Sequence, residues 1–195
     1  YALEGSIFIA GAGVQWLRDR MKFIKKASDT EKIIKSLKSN NGIYLVPAFT
    51  GLGAPYWAAN ARGILSGLTR DTGPKEIVRA TVESVAYQTH DLFEAMKNDG
   101  LKPKLIKVDG GMVKNNWFSQ FLADVINIKV LRPKVDETTA LGAAFMAGLQ
   151  MGVYKSLKDI SKNWKTDKCF NSKMNSHHRK SLIKGWKAAI NKTLS

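Results

Sequence analysis

The sequence predicts a layered α/β domain, because short apolar runs rich in β-branched residues alternate with helix-patterned segments. Two of these runs end in glycine turns that lead into helices. Residues 105–111 precede a helix near Asn115, and residues 2–13 precede a helix beginning near Val14. Open α/β sheets place ligands at such turns. A plain strand-to-helix connection stays open as the alternative at this point.

Length and composition indicate one folded unit of ordinary hydrophobicity. The 195 residues suffice for one core, or for one domain with a small appendage, and the apolar fraction of 44% excludes wholesale disorder. No apolar run has membrane-spanning length, so no membrane insertion is expected. The sequence starts at Tyr1 without a methionine or signal-peptide features, and we expect a fragment of a longer protein.

The single cysteine bears on the redox compartment of the protein, and the positive charge bears on the class of partner that it binds. Cys169 alone can form neither an internal disulfide nor a thiolate cluster, which fits a reducing cytoplasm. The net charge of +15 raises a nucleic-acid hypothesis, but the lysines are scattered and no finger or RNP-like motif occurs. We therefore expect a solvated lysine-rich surface and no nucleic-acid partner. The positive electrostatic field of these lysines would favour binding of an anionic small substrate or nucleotide.

The first unit reads as a strand at residues 2–9, a turn at residues 11–13 and a helix. Apolar residues recur at helical spacing in that helix: Val14, Leu17, Met21 and Ile24. The glycine pattern of dinucleotide-binding turns does not match this segment, because Trp16 occupies the position of its third glycine. Gln15 lies in the first helical turn, where its amide either reaches a ligand or is an ordinary surface group.

The middle of the chain predicts a surface helix at residues 28–41, strands at 43–46 and 62–68, and an ordered loop between them at 47–57. Pro74 marks the start of a long helix. Its apolar face contains Ile77, Val78, Thr81, Val82, Val85, Leu92, Phe93 and Met96. Its carboxylates are predicted to lie mostly off that face, solvated or salt-bridged: Glu76, Glu83, Asp91 and Glu94.

The second unit begins with a strand at residues 105–108. Gly110 and Gly111 then allow close approach to the backbone, and Asn115 or Asn116 is positioned to cap the next helix. A short strand at residues 129–133 fits an edge position. Small residues in a helix at 138–149 predict close packing on a sheet or another helix. The polar tail ends in a helix with Leu182, Ile183, Trp186, Ala189 and Ile190 at helical spacing.

Taken together, several of these segments resemble the C-terminal half of the FGGY carbohydrate kinases. The resemblance covers nearly all of the chain to about Tyr154, and the loop at residues 47–57 resembles the glycerol kinases of that family specifically. Residues 63–83 have the spacing of the family's second signature. The segments that carry the resemblance are residues 1–5, 11–19, 47–57, 62–70, 79–84, 108–111 and 138–148.

The resemblance implies a ribonuclease-H-like, actin-like ATPase domain with a mixed sheet flanked by helices. It implies that Gly11 and Gln15 line one side of a bound ATP, and that Gly111 and Asn115 line the other. It also implies γ-phosphoryl transfer to glycerol, with Mg²⁺ neutralising phosphate charge and a carboxylate base. The family's base, glycerol contacts and Mg²⁺-supporting carboxylates precede Tyr1, so no catalytic residue and no metal ligand is expected in this chain.

The resemblance also leads us to expect a particular domain division and a particular set of partners. Residues 1–154 would form the nucleotide-side domain, and residues 155–195 a lysine-rich extension packed on it. The expected partners are ATP or ADP, glycerol, an N-terminal domain and further copies in a homo-oligomer. Alternatives are another FGGY kinase acting on a pentulose or gluconate, a non-catalytic actin-like nucleotide-binding module, and a basic nucleic-acid-binding domain.

Overall fold

The computed structural model describes residues 4–135 and 137–195, which form a mixed α/β fold. The elements in chain order are α1 (Gly11–Asp19), α2 (Asp29–Lys35), β1 (Tyr44–Val46), β2 (Ile64–Ser66), α3 (Pro74–Asn98), β3 (Leu105–Lys107), a 3-10 turn (Gly111–Lys114), α4 (Asn116–Ile126), β4 (Lys129–Pro133), α5 (Thr138–Gln150), α6 (Leu157–Ser161), β5 (Thr166–Phe170) and α7 (Ser176–Leu194).

The strands form two small sheets. In the larger sheet the order is β3-β4-β5, with β3 parallel to β4 and β5 antiparallel to it. The smaller sheet is the antiparallel pair β1-β2. The edge position predicted for residues 129–133 is wrong, because β5 pairs with β4 on the side away from β3. Four of the five residues in β5 are exposed, so the sequence carried no apolar signal for that strand.

The strand predicted at residues 2–9 is not formed in the part that the structure describes. Residues 1–3 lie outside that part, and residues 4–9 have no regular secondary structure. Their backbone groups bond elsewhere. The Ser6 carbonyl accepts from the Ala54 N–H at 3.1 Å, and the Ile9 carbonyl accepts from Gln88 Nε2 at 3.1 Å. A strand needs a ladder partner, and no described strand pairs with this segment.

Helix α3 is the central element of the core. It starts at Pro74 as predicted, and the Gly73 N–H donates to Glu76 Oε2 at 3.0 Å, which satisfies one free donor at the helix start. The helix packs against α1, α2, α4 and β1. Its buried apolar residues are Val78, Ala80, Val82, Val85, Ala86 and Tyr87.

Two carboxylates of α3 are buried, contrary to the prediction that they lie off the packed face. Glu83 is 1% exposed and Asp91 is 4% exposed. Glu83 forms a salt bridge of 2.7 Å to Arg79 Nε, as one of the two predicted alternatives had it. Burial raises the pKa of the Glu83 carboxyl, although the Arg79 guanidinium opposes the shift. Asp91 Oδ2 accepts from the Tyr56 hydroxyl and from Trp186 Nε1, both at 2.6 Å.

The C-terminal helix α7 packs on the rest of the chain through a buried indole. Trp186 is fully buried and stacks on Tyr87 with ring centroids 5.4 Å apart. Gly185 lies so close to Tyr44 of β1 that an added Cβ would overlap its ring. The domain boundary at residue 154 stays a prediction. Within residues 4–135 and 137–195, no helix is long and apolar enough to span a membrane.

Helix α5 differs from its prediction. It spans 13 residues and none of them is buried, so the predicted close packing is absent from the described structure. A Cβ added at Gly142 would meet no atom within 4 Å. The helix is held at its start, where the Thr138 hydroxyl donates to the Asp109 carboxylate, and near its end, where Phe145 contacts Tyr154 edge-on.

Candidate functional site

The two glycine turns meet at one cavity. Its volume is about 1020 Å³, and its wall includes all four residues predicted to bind a nucleotide: Gly11, Gln15, Gly111 and Asn115. Helix α1 supplies the first pair, and the turn between β3 and α4 supplies the second. The sequence separates the two pairs by 100 residues or nearly so, and the fold brings them to one place.

Helix α1 begins at the wall of this cavity, which Ala10 and Gly11 line. Its N-cap residue, Ala10, provides no capping side chain. A Cβ added at Gly11 would meet only Met112 Cγ, at 4.0 Å, so the space above it is open. Gly13 has a different role, because a Cβ there would lie 3.1 Å from Thr81 on α3. The exposed amide of Gln15 stands one turn further on. This end of α1 suits a polar or anionic group.

The second glycine turn is similarly open. Gly110 has φ +85°, a conformation that side-chain-bearing residues rarely adopt, and its role is therefore to form the turn. A Cβ added at Gly111 would meet no atom within 4 Å, and no positive φ constrains that residue. Open space over the Gly111 backbone allows a ligand to approach the chain closely.

Asn115 has two defined contacts. It is the N-cap of α4, as one of the two predicted alternatives had it: its Oδ1 accepts from the Phe118 N–H at 2.9 Å. Its Nδ2 donates to Thr30 Oγ1 at 3.2 Å, and Thr30 in turn donates to the Ala27 carbonyl at 2.7 Å. Together these bonds fix the orientation of the amide. The second Nδ2 hydrogen and the second Oδ1 lone pair stay available to a ligand.

Glu31 of α2 accepts a hydrogen bond from the residue that follows Asn115. The Asn116 N–H donates to Glu31 Oε2 at 3.2 Å, and Lys35 Nζ lies 2.6 Å from Oε1. Burial raises the pKa of Glu31, but the hydrogen bonds from Lys35 and the Asn116 N–H outweigh it and hold that pKa below its ordinary value. Sequence reasoning missed Thr30 and Glu31, because each is 85 residues from its partner and no local pattern marks the contact.

The remaining charged groups on the cavity wall have partners in the structure. Arg18 forms a bidentate salt bridge with Asp19, with N–O distances of 2.7 and 2.8 Å. Asp109 accepts from Thr138. Among the residues that the structure describes, no group of three or more His, Cys, Asp or Glu side chains is arranged to hold a metal ion. The wall is therefore suited to binding, through backbone donors and amides.

The fold and the cavity define an α/β domain with an open cavity between two glycine turns. Residues 1–151 match the model of the FGGY family of carbohydrate kinases, C-terminal domain. The chain belongs to this family.

Individual relatives agree with that assignment. The chain is 54% identical over 195 residues to "Glycerol kinase 1" of Pseudomonas aeruginosa, covering 100% of this chain and 40% of the relative. It superposes with a TM-score of 0.90 on the Plasmodium falciparum glycerol kinase solved with ADP, at 39% identity, covering 100% of this chain and 39% of that one. The chain thus spans about two fifths of the length of these relatives.

A more distant neighbour bears on the fold alone. The ligand-bound xylulose kinase of Lactobacillus acidophilus superposes with a TM-score of 0.79 at 24% identity, covering 96% of this chain and 38% of that one. The ribonuclease-H-like class predicted from the sequence is confirmed by these neighbours.

Proposed function

We propose that this chain is the nucleotide-binding C-terminal domain of an ATP-dependent glycerol kinase. The complete enzyme transfers the γ-phosphoryl group of ATP to glycerol and yields sn-glycerol 3-phosphate and ADP. The observation that carries the proposal is the convergence of Gly11, Gln15, Gly111 and Asn115 on one cavity. The identity of 54% to a glycerol kinase supports glycerol as the acceptor.

The four residues act as two walls of the nucleotide site. Gly11 and Gly111 have open space over their backbones, which allows phosphate or ring atoms to approach. Gln15 and Asn115 supply amide hydrogen bonds. Of these two amides, Asn115 is the more rigidly held, because Phe118 and Thr30 already orient it.

The chemical step needs groups that this chain does not supply. Bound Mg²⁺ neutralises phosphate charge in phosphoryl transfer, and a carboxylate accepts the hydroxyl proton. Following the family resemblance, we assign Mg²⁺ binding and the base to the rest of the enzyme. We further propose a cytoplasmic homo-oligomer with no nucleic-acid partner, and no activity for this chain alone.

Substitution of Gly111 tests the nucleotide assignment. In the complete enzyme, Gly111→Ala weakens ATP binding and Gly111→Val weakens it further, whereas glycerol binding is retained. The Cβ that the alanine variant adds meets no atom of this chain within 4 Å, so the fold tolerates it and a nucleotide bound over the Gly111 backbone would clash with it. Calorimetric titration with each ligand measures both affinities. Equal losses for ATP and glycerol, with the melting temperature unchanged, would contradict the assignment.

The runner-up is another FGGY kinase that acts on a pentulose or gluconate. Comparing kcat/KM for glycerol, xylulose and gluconate in the complete enzyme separates these substrates. A preference for either sugar over glycerol would replace the proposed acceptor and keep the nucleotide site.

A further inference from the structure

An arginine outside the cavity contacts the second wall of the proposed nucleotide site. Arg132 of β4 does not line the cavity, but its Nη1 donates to two carbonyls of the turn that does. The Nη1–O distances are 2.8 Å to Val113 and 3.3 Å to Lys114. These carbonyls lie at the end of the 3-10 turn, directly before Asn115. A side chain outside the site therefore holds the backbone that forms its wall.

Fixing these two carbonyls fixes the starting point of the Asn115 side chain. A peptide group is planar, so the direction of a carbonyl sets the direction of the whole peptide plane. The two planes that Arg132 holds flank residue 114, and the second of them leads to the Asn115 Cα. The contacts with Thr30 and Phe118 then orient the amide itself. Arg132 and Thr30 thus act on Asn115 from its backbone and from its side chain.

A carboxylate on the neighbouring strand holds the guanidinium in this orientation. Asp167 Oδ2 of β5 lies 2.8 Å from Arg132 Nε and 2.6 Å from its Nη2. The Arg132 side chain is only 14% exposed, so water screens this ion pair less than it screens an ordinary surface salt bridge. All three guanidinium nitrogens are engaged, two by the carboxylate and one by the turn.

An irregularity in the β4–β5 ladder brings Asp167 to this position. Arg132 pairs with Lys168, and Pro133 pairs with Thr166. Asp167 lies between the two pairs as an extra residue of β5. Side chains alternate between the faces of a regular strand, which would place Asp167 on the face opposite to Lys168 and Arg132. A β-bulge interrupts this alternation and re-aims a side chain, and bulges are over-represented next to active sites.

The next residue of β5 contacts the same region directly. Lys168 Nζ donates to Oδ1 of Asn116, the first residue of α4, at 3.3 Å. Both cations also lie over the ring of Phe170, with Arg132 Cζ 5.6 Å and Lys168 Nζ 5.3 Å from its centroid. Strand β5 belongs to the segment that the sequence predicts as a lysine-rich extension. Two of its consecutive residues support the turn, Lys168 directly and Asp167 through Arg132.

We propose that Arg132 is a positioning residue for nucleotide binding and that Asp167 of β5 holds it in place. The pair fixes the turn that carries Gly111 and Asn115, so this wall is formed before ATP binds and no binding free energy is lost in ordering it. The C-terminal segment thereby contributes to the nucleotide site, because β5 supplies the carboxylate. This inference rests on the proposed function, since it requires ATP to bind at this turn.

Substitutions in the complete enzyme test the role of Arg132. Arg132→Met removes every donor, but the Ser119 hydroxyl still donates to the Val113 carbonyl at 3.0 Å, so the turn is loosened and the fold is kept. We expect the KM for ATP to rise about tenfold, with kcat and the KM for glycerol changed less than about twofold. Arg132→Lys keeps the charge without the planar fork and should raise the KM for ATP only about threefold. A purely structural role would reduce the amount of active enzyme, and hence the apparent kcat, and would leave the KM for ATP unchanged.

Arg179 provides the matched control. Its guanidinium also donates to backbone carbonyls, those of Asp124 and Met174, and it also lies outside the cavity wall. Arg179→Met should lower the melting temperature and leave the KM for ATP unchanged. Asp167→Ala removes the carboxylate that orients Arg132 and should raise the KM for ATP about threefold. Because Asp167 acts through Arg132, the double variant should be no more impaired than Arg132→Met alone.

Hydrogen–deuterium exchange measures whether the turn itself responds. In the complete enzyme without nucleotide, we expect the amides of residues 111–116 to exchange faster in Arg132→Met than in the unsubstituted protein. Arg179→Met should leave the exchange of these amides unchanged. Unchanged exchange of residues 111–116 in Arg132→Met would overturn the inference.

The kinetic results can overturn the inference in three ways. These are an unchanged KM for ATP in Arg132→Met, an equal rise in the KM for ATP and for glycerol, and an equal rise in the KM for ATP in Arg179→Met. The Gly111→Val variant separates this inference from the proposed function. If Gly111→Val weakens ATP binding and Arg132→Met does not, only the role of Arg132 is wrong. If neither variant weakens ATP binding, the nucleotide assignment is wrong as well.

Discussion

The two roles assigned to Asn115 can be separated by two substitutions at the same position. Its Oδ1 caps α4, and its Nδ2 bonds to Thr30. Asn115→Ala removes both. Loss of an N-cap costs about 1 kcal/mol, and loss of the bond to Thr30 costs about 1 kcal/mol more. Asn115→Asp keeps a capping oxygen and loses only the donor. We therefore expect the alanine variant to lose about 2 kcal/mol of unfolding free energy and the aspartate variant about half of that.

The ATP affinities of the two Asn115 variants should not follow the order of their unfolding free energies. Both variants lose the amide donor, and Asn115→Asp adds a negative charge at the proposed site of the anionic nucleotide. We expect each to weaken ATP binding about tenfold or more, with the aspartate variant at least as impaired as the alanine variant. Urea unfolding gives the stabilities, and calorimetric titration of the 195-residue chain gives the affinities.

A second capped helix provides the matched control. Asn175 caps α7, where its Oδ1 accepts from the His178 N–H at 2.8 Å, and it does not line the cavity. Asn175→Ala should cost about 1 kcal/mol of stability and leave ATP binding unchanged. Full ATP affinity in Asn115→Asp would refute the ligand role of the amide. Undiminished stability in Asn115→Ala would refute the capping role.

Three further predictions follow from other contacts. Thr30→Val removes the acceptor that orients Asn115 and should weaken ATP binding severalfold, whereas Thr30→Ser should restore it in the same titration. Trp186→Ala empties a fully buried site and removes a donor to Asp91, so urea unfolding should show a loss of about 3–5 kcal/mol. The pKa of Glu31 is lowered on folding, so its contribution to stability is present above its unfolded value and is lost as pH falls through the folded value. Glu31→Gln should therefore lessen the drop in melting temperature between about pH 5 and pH 3.

Local patterns predicted those parts of the structure that depend on neighbours in the chain. Apolar periodicity located α3, and Asn115 was identified as one of two candidate caps. The two glycine turns were also predicted, because glycine allows backbone conformations that other residues rarely adopt. All four predicted site residues line one cavity.

The predictions that failed depend on contacts between residues that lie far apart in the chain. Asp91 is buried because Trp186, 95 residues later, donates to it, and no helical period encodes such a contact. The middle position of β4 depends on the exposed strand β5. Residues 4–9 have a strand-like sequence without a ladder, and two of their carbonyls, those of Ser6 and Ile9, accept hydrogen bonds from Ala54 and Gln88 instead.

The most direct test of the proposed function is to incubate the isolated 195-residue chain with ATP and glycerol in one experiment. ATP binding is followed by calorimetry, with ADP as competitor, and glycerol 3-phosphate is assayed after prolonged incubation. We predict that the nucleotide binds at the cleft containing Gly111 and Asn115 and that no glycerol 3-phosphate forms. Phosphorylation of glycerol by this chain alone would contradict the assignment of the base and of Mg²⁺ binding to the rest of the enzyme.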